Sequence, residues 1–69
     1  MRDYELTTYM RRAGIRSNRE LAGITGINRA TVDRIVKHPT NARGYQIEAI
    51  QTACGMTEGE TSIVFIKRR

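Results

Sequence analysis

Six basic side chains fall between Arg16 and Arg43 (Arg16, Arg19, Arg29, Arg34, Lys37 and Arg43), against two acids, Glu20 and Asp33. That span alone holds +4 of the chain's formal +5. Side chains of this type, so concentrated, can neutralise a polyanion and form the expected footprint of a nucleic-acid binder. A solvated basic face with no partner would carry the same charge. A second basic cluster, Lys67-Arg68-Arg69, follows at the C-terminus. The one thiol, Cys54, and the one imidazole, His38, are the types from which a nucleophile and its base are built. Cys54, however, falls on an apolar stripe with Ile47 and Ile50, where a core thiol is the commoner case. His38 precedes Pro39 in a polar loop and suits a phosphate or solvent. No glycine-rich phosphate loop, metal-ligand cluster or carboxylate pair is legible, so neither enzymatic activity nor a cofactor is expected.

The elements that must position these charges are few. Sixty-nine residues read as one domain, 1–69, and chains this short bury only roughly 60% of the surface their unfolded form exposes. One cysteine makes no internal disulfide, and one Cys with one His makes no structural zinc site. A helical core, dimerisation or both must therefore supply the stability. No apolar run approaches a membrane span, and "MRDYELTTYM" has no apolar signal-peptide region. With a lone thiol, that reads as a cytoplasmic protein.

Leu6, Tyr9, Met10 and Ala13 recur at i, i+3, i+4, i+7 and predict a first helix over Asp3–Ala13. Asp3 and Glu5 in its first turn and Arg11 and Arg12 in its last match the helix dipole, with Gly14 as the terminating residue. Ser17, with Glu20 three residues on, is a capping-box pattern opening a second helix over Asn18–Thr25. Gly26 ends it. Asn28 caps a third helix, Arg29–Lys37, with Val32, Ile35 and Val36 apolar, and Pro39 stops it by restricting His38. Ile47, Ile50, Ala53 and Cys54 mark a fourth helix, Gly44–Cys54, closed by Gly55. Thr57 and Glu60 repeat the capping-box pattern and favour a fifth helix from Glu58. "SIVFI", apolar and β-branched, suits a strand as well, so the last element reads as helix or strand. The fold class is all-α with five helices.

Two short helices joined by a glycine-containing turn, within residues 18–37, make a helix-turn-helix arrangement. Ala22 is small where the two helices cross, and Gly26 can take the positive φ of the turn. Leu21, Ile27, Val32 and Ile35 anchor the pair to a core. On these residues the stretch "LAGITGINRATVDRIVK" resembles the helix-turn-helix of the Cro/CI-type regulators, which include lambdoid phage repressors and Cro proteins. Leu21-Ala22, Gly26, Ile27, Asn28, Val32 and Ile35 stand in the family's register, and the likeness extends over about residues 3–62. Thr25 departs from it, since the family usually buries an apolar residue there. "NARGYQ", before the fourth helix, is longer and more basic than the common form.

What the resemblance implies is a five-helix bundle of the lambda-repressor kind whose third helix lies in the major groove of double-stranded DNA. Carried over position by position, Arg29 and Ala30 reach bases, with Thr31, Asp33 and Arg34 beside them. An Arg can bond guanine O6 and N7 together, and Ala30 or the Thr31 methyl can meet a thymine methyl. Asp33 can accept from a cytosine amine or orient Arg29 at i−4; the second is the favoured expectation. Phosphate contacts are expected from Asn18, Arg19, Asn28, Lys37, Thr40, Asn41 and Arg43. Tyr9 reads as core, and Tyr45 as packing over the third helix or touching a phosphate.

Ile63, Val64, Phe65 and Ile66 exceed what so small a core needs and are expected to meet a second copy. A homodimer would place two recognition helices about 34 Å apart on a palindromic operator. The resemblance thus implies a Cro-like phage or prophage repressor in the cytoplasm of a bacterial host, associated with its nucleoid. A chain with no room for a ligand-binding domain would be controlled through concentration and operator competition, without a small-molecule ligand. Two other readings of the same fold are an antitoxin that also regulates its own gene, and a protein-interaction module that does not touch DNA.

Overall fold

Three short polar side chains start three of the helices. Ser17 Oγ accepts from the Glu20 N–H at 3.1 Å, Asn28 Oδ1 from Ala30 at 2.8 Å, and Thr57 Oγ1 from Glu60 at 3.1 Å. Each satisfies an N–H that the first helical turn leaves without a partner. The structure, a computed structural model, describes residues 5–66. In order these form α1 (Leu6–Arg12), α2 (Asn18–Thr25), α3 (Arg29–Lys37), a 3-10 turn (Pro39–Asn41), α4 (Gly44–Cys54) and α5 (Glu58–Phe65). There is no strand among the described residues.

The expected bounds of α2, α3 and α4 coincide with those observed. The first helix is shorter at its end than its apolar stripe predicted. Ala13 is exposed and caps the helix rather than continuing it, and Asp3 lies outside the described residues. Glu5 stands at the N-cap instead of inside the first turn. The Ser17 capping box is half formed: the Glu20 carboxylate accepts from the Arg16 N–H at 2.6 Å, one residue upstream of the expected partner. At Thr57 the box is complete, with Glu60 Oε1 accepting from the Thr57 N–H at 3.0 Å.

That complete cap decides the ambiguous last element in favour of helix. Thr61, Val64 and Phe65 then fall at i, i+3 and i+4 and are all buried, a spacing only a helix places on one face. The Thr61 hydroxyl donates to the Thr57 carbonyl at 2.8 Å, so its burial leaves no polar atom unsatisfied. This narrows the surface expected to meet a second copy. Val64 and Phe65 are each 3% exposed within the single chain and complete its own core; Ile63 is half-buried, and Ile66 is 57% exposed.

The core gathers Leu6, Tyr9 and Met10 of α1, Leu21 of α2, Val32 and Ile35 of α3, Ile50 and Cys54 of α4, and Val64 and Phe65 of α5. Ile15 and Met56, from the connections, join them. Leu21 and Val32 are fully buried, so the angle between α2 and α3 is set by the same packing that holds the domain together. Gly26 turns the chain between them at φ +77°, a region where a Cβ would be strained. Thr25, the polar departure beside that turn, is accommodated by the backbone. Its hydroxyl donates to the Leu21 carbonyl at 2.8 Å and accepts from the Ile27 N–H at 3.3 Å.

Arg12 has a use beyond the helix dipole. Its guanidinium reaches 48 residues along the chain and grips both Glu60 oxygens, at 2.6 and 2.8 Å, while stacking 5.0 Å from the Tyr9 ring centre. The Arg12 bond and the Thr57 N–H together pull the Glu60 carboxyl down to about 2. In the unfolded chain it returns to its ordinary value near 4.5. The pair therefore stabilises the fold above that ordinary value, and the contribution fades as pH falls from there toward 2. Thermal melts of the wild type and Glu60→Gln between pH 6 and pH 2 should show the wild type's advantage shrinking across that window. An advantage that stays constant with pH would exclude the ion pair as its source.

Candidate nucleic-acid interface

The third helix divides cleanly by face. Val32 and Ile35 point inward at 0% and 2% exposure, which leaves Arg29, Ala30, Asp33, Arg34 and Lys37 exposed and Thr31 half-buried at the edge. Of the five residues expected at base edges, four are thus on one solvent-facing helix surface. The helix begins with its Asn28 cap, so the Asn28 amide oxygen is committed to the Ala30 N–H, while its amide N–H groups stay available as donors.

Asp33 does not pair with Arg29. Its Oδ1 accepts from Asn18 Nδ2 at 3.0 Å, across the junction from the first residue of α2. The physical reason is reach and entropy. A short amide opposite the carboxylate is easier to hold than a long, exposed guanidinium one turn back. The Asn18–Asp33 bond therefore joins an expected phosphate contact to an expected base contact. A cleft beside α3 makes a second such junction. Thr31, Arg34, Ile35, Asn41, Arg43 and Gln46 line it, so two base-side residues face two phosphate-side residues. Gln46 is its rigid wall: it is buried, and its Oε1 accepts from the Arg43 N–H at 2.9 Å. Thr40 is exposed on the 3-10 turn at the same end.

A basic, exposed helix face whose inner side is locked into the core is geometry that a groove of DNA can accept. Residues 5–61 match the family model of the Cro/C1-type HTH DNA-binding domain. The chain belongs to that family. No curated protein and no solved structure matches it.

As a Cro/C1-type domain, the protein is a DNA-binding helix-turn-helix module; the family is one of DNA-binding domains, not a class of enzyme. No described helix is long and apolar enough to cross a membrane. The Cro/C1-type fold also explains the groups that looked reactive. Cys54 is buried at 3% exposure, and burial pushes its thiol above the ordinary value, away from the nucleophilic thiolate. His38 is exposed at the end of α3. Tyr45 does not pack over α3: it stands 67% exposed at the start of α4, its hydroxyl accepting from Gln46 Nε2 at 3.4 Å.

The remaining expected phosphate contacts of the Cro/C1-type domain are spread along its edge. Arg19 borders a hollow on the outer side of α2 with Arg16, Glu20 and Ile24, and Lys37 borders another with Glu5, Thr7 and Pro39. Asn18 shares a third hollow with Arg11 and Arg16, two exposed cations that spacing alone did not single out. Arg11 looked like a charge at the end of α1. The fold carries that end beside the start of α2, where a helix N-terminus already favours anions. Arg16, immediately before the Ser17 cap, was the signal that could have been read.

Proposed function

We propose that this protein is a sequence-specific transcriptional regulator of the Cro-like repressor kind, which binds a palindromic operator as a homodimer. The observation that carries the reading is the division of α3, with Val32 and Ile35 locked inward and Arg29, Ala30, Asp33 and Arg34 left outward. Arg29 and Arg34 read base edges in the major groove, with Ala30 and Thr31 in apolar contact beside them. Asn18, Arg19, Asn28, Lys37, Thr40, Asn41 and Arg43 hold the backbone and set the register. Repression needs nothing further, since an operator covered by protein is closed to the transcription machinery.

Size supports the dimer. The longest extent of the domain is 31 Å, so one copy does not present two reading helices one helical turn of DNA apart, about 34–36 Å. Ile66, exposed at the end of α5 beside half-buried Ile63, is the apolar surface offered for the second copy. The test of the reading is Arg29→Ala, titrated against an operator duplex and a set with each base pair replaced in turn. Specificity should relax at one base pair of each half-site, by about 1–3 kcal/mol. An unchanged preference at every position would remove Arg29 from the reading surface.

A further inference from the structure

We propose that Asp33 is a positioning residue for DNA binding, acting through Asn18 rather than by touching a base; this rests on the DNA-reading role of α3 proposed above. Asn18 is the first residue of α2, half-buried, with Arg11 and Arg16 bordering the same hollow. A primary amide there has two faces of opposite sign. Turned one way it offers N–H donors to a phosphate; turned the other it offers an oxygen that a phosphate repels. Nothing in the amide's shape prefers either orientation. The Asp33 carboxylate does: it is an acceptor only, and its bond to Asn18 Nδ2 at 3.0 Å selects the orientation that puts nitrogen toward α3. One amide N–H is used on Asp33, and the other is left to donate at the protein surface.

The bond has a second consequence. Asn18 belongs to α2 and Asp33 to α3, 15 residues apart, so one contact ties the phosphate anchor to the reading helix. The cost is an anion on a face that must approach a polyanion. Simple charge repulsion says that deleting Asp33 should strengthen binding; positioning says that it should weaken it. The two accounts differ in sign.

The experiment measures the affinity of the full chain and its variants for an operator duplex and for an unrelated duplex at one salt concentration. Asp33→Ala should weaken both affinities by roughly five- to thirtyfold, as expected for losing a charge-assisted bond. Asp33→Asn removes the charge but places an N–H beside its oxygen, so it no longer selects the orientation of the Asn18 amide. It should also bind more weakly than the wild type, where plain repulsion would have it bind more tightly. In an Asn18→Ala background, Asp33→Ala should produce no further loss. Tighter binding by Asp33→Ala would overturn the proposal in favour of plain repulsion. A loss on the operator duplex that is absent on the unrelated duplex would overturn it in favour of direct cytosine reading. A wild-type protein that bound neither duplex would overturn the DNA-reading role itself, so the two failures are distinct.

Discussion

Raising the salt concentration from 50 to 200 mM should weaken operator binding by roughly a thousandfold. The figure follows from counterion release. Each phosphate neutralised by Lys or Arg contributes a slope of about −0.9 in log affinity against log salt. Arg19, Lys37 and Arg43 are exposed cations at the edge of the proposed reading surface, and the proposed dimer would present each of them twice. Six such contacts give a slope near −5, and a fourfold rise in salt then costs about three decades. As proposed phosphate contacts, Asn18, Asn28, Thr40 and Asn41 would release no cations and would leave the slope nearly unchanged. Arg43→Ala should therefore reduce the slope by about 2, while Asn18→Ala lowers affinity at every salt concentration by a similar factor. A slope near zero would mean that the basic face of this domain does not meet a nucleic-acid backbone.

Leu21→Ala carries the largest expected effect on the fold. Leu21 is 0% exposed and sits where α2 meets the core that also contains Leu6, Val32, Ile35 and Ile50. Truncating a fully buried leucine typically costs about 2–5 kcal/mol, transfer and cavity together. Native stability of about 0.05–0.15 kcal/mol per residue leaves 69 residues with little beyond that. The melting temperature should fall by more than about 10 °C, since 1 kcal/mol shifts a domain of this size by roughly 4–8 °C. Because Leu21 also fixes α2 against α3, operator binding should be lost over the same temperature range. Ile24→Ala is the control: Ile24 lies three residues on in the same helix but is 56% exposed, and its loss should stay within about 0.5 kcal/mol. Equal destabilisation by the two would contradict the assigned core.

These expectations draw unequally on the sequence and on the fold. The starts and ends of α2, α3 and α4 were legible because their causes are local. Asn28 caps within two residues, and Gly26 and Gly55 take the left-handed turns that stop helices. The inward positions Val32 and Ile35 were legible for the same reason, since helical periodicity alone puts them together. What escaped is what depends on where distant segments meet. The Arg12–Glu60 grip spans 48 residues, and local spacing offered only a helix-dipole role for Arg12. The partner of Asp33 looked like Arg29, one turn away on the same helix, because the opposing α2 terminus is invisible until the crossing angle is known. "SIVFI" announced an apolar end without saying which side chains the domain keeps. Val64 and Phe65 turned inward and only Ile66 stayed largely in solvent, which moves the proposed dimer surface to the last turn of α5. Arg11 and Arg16 joined Asn18 through the same kind of distant meeting.

The central claim is that α3 reads base edges as one of a symmetric pair. Selection of binding sites from random DNA by the full chain tests it most directly, because the enriched sequence reports both the reading and the symmetry. A short inverted repeat should emerge, its half-site centres about 34–36 Å or a multiple of that apart. A pool that emerges without sequence preference would contradict it.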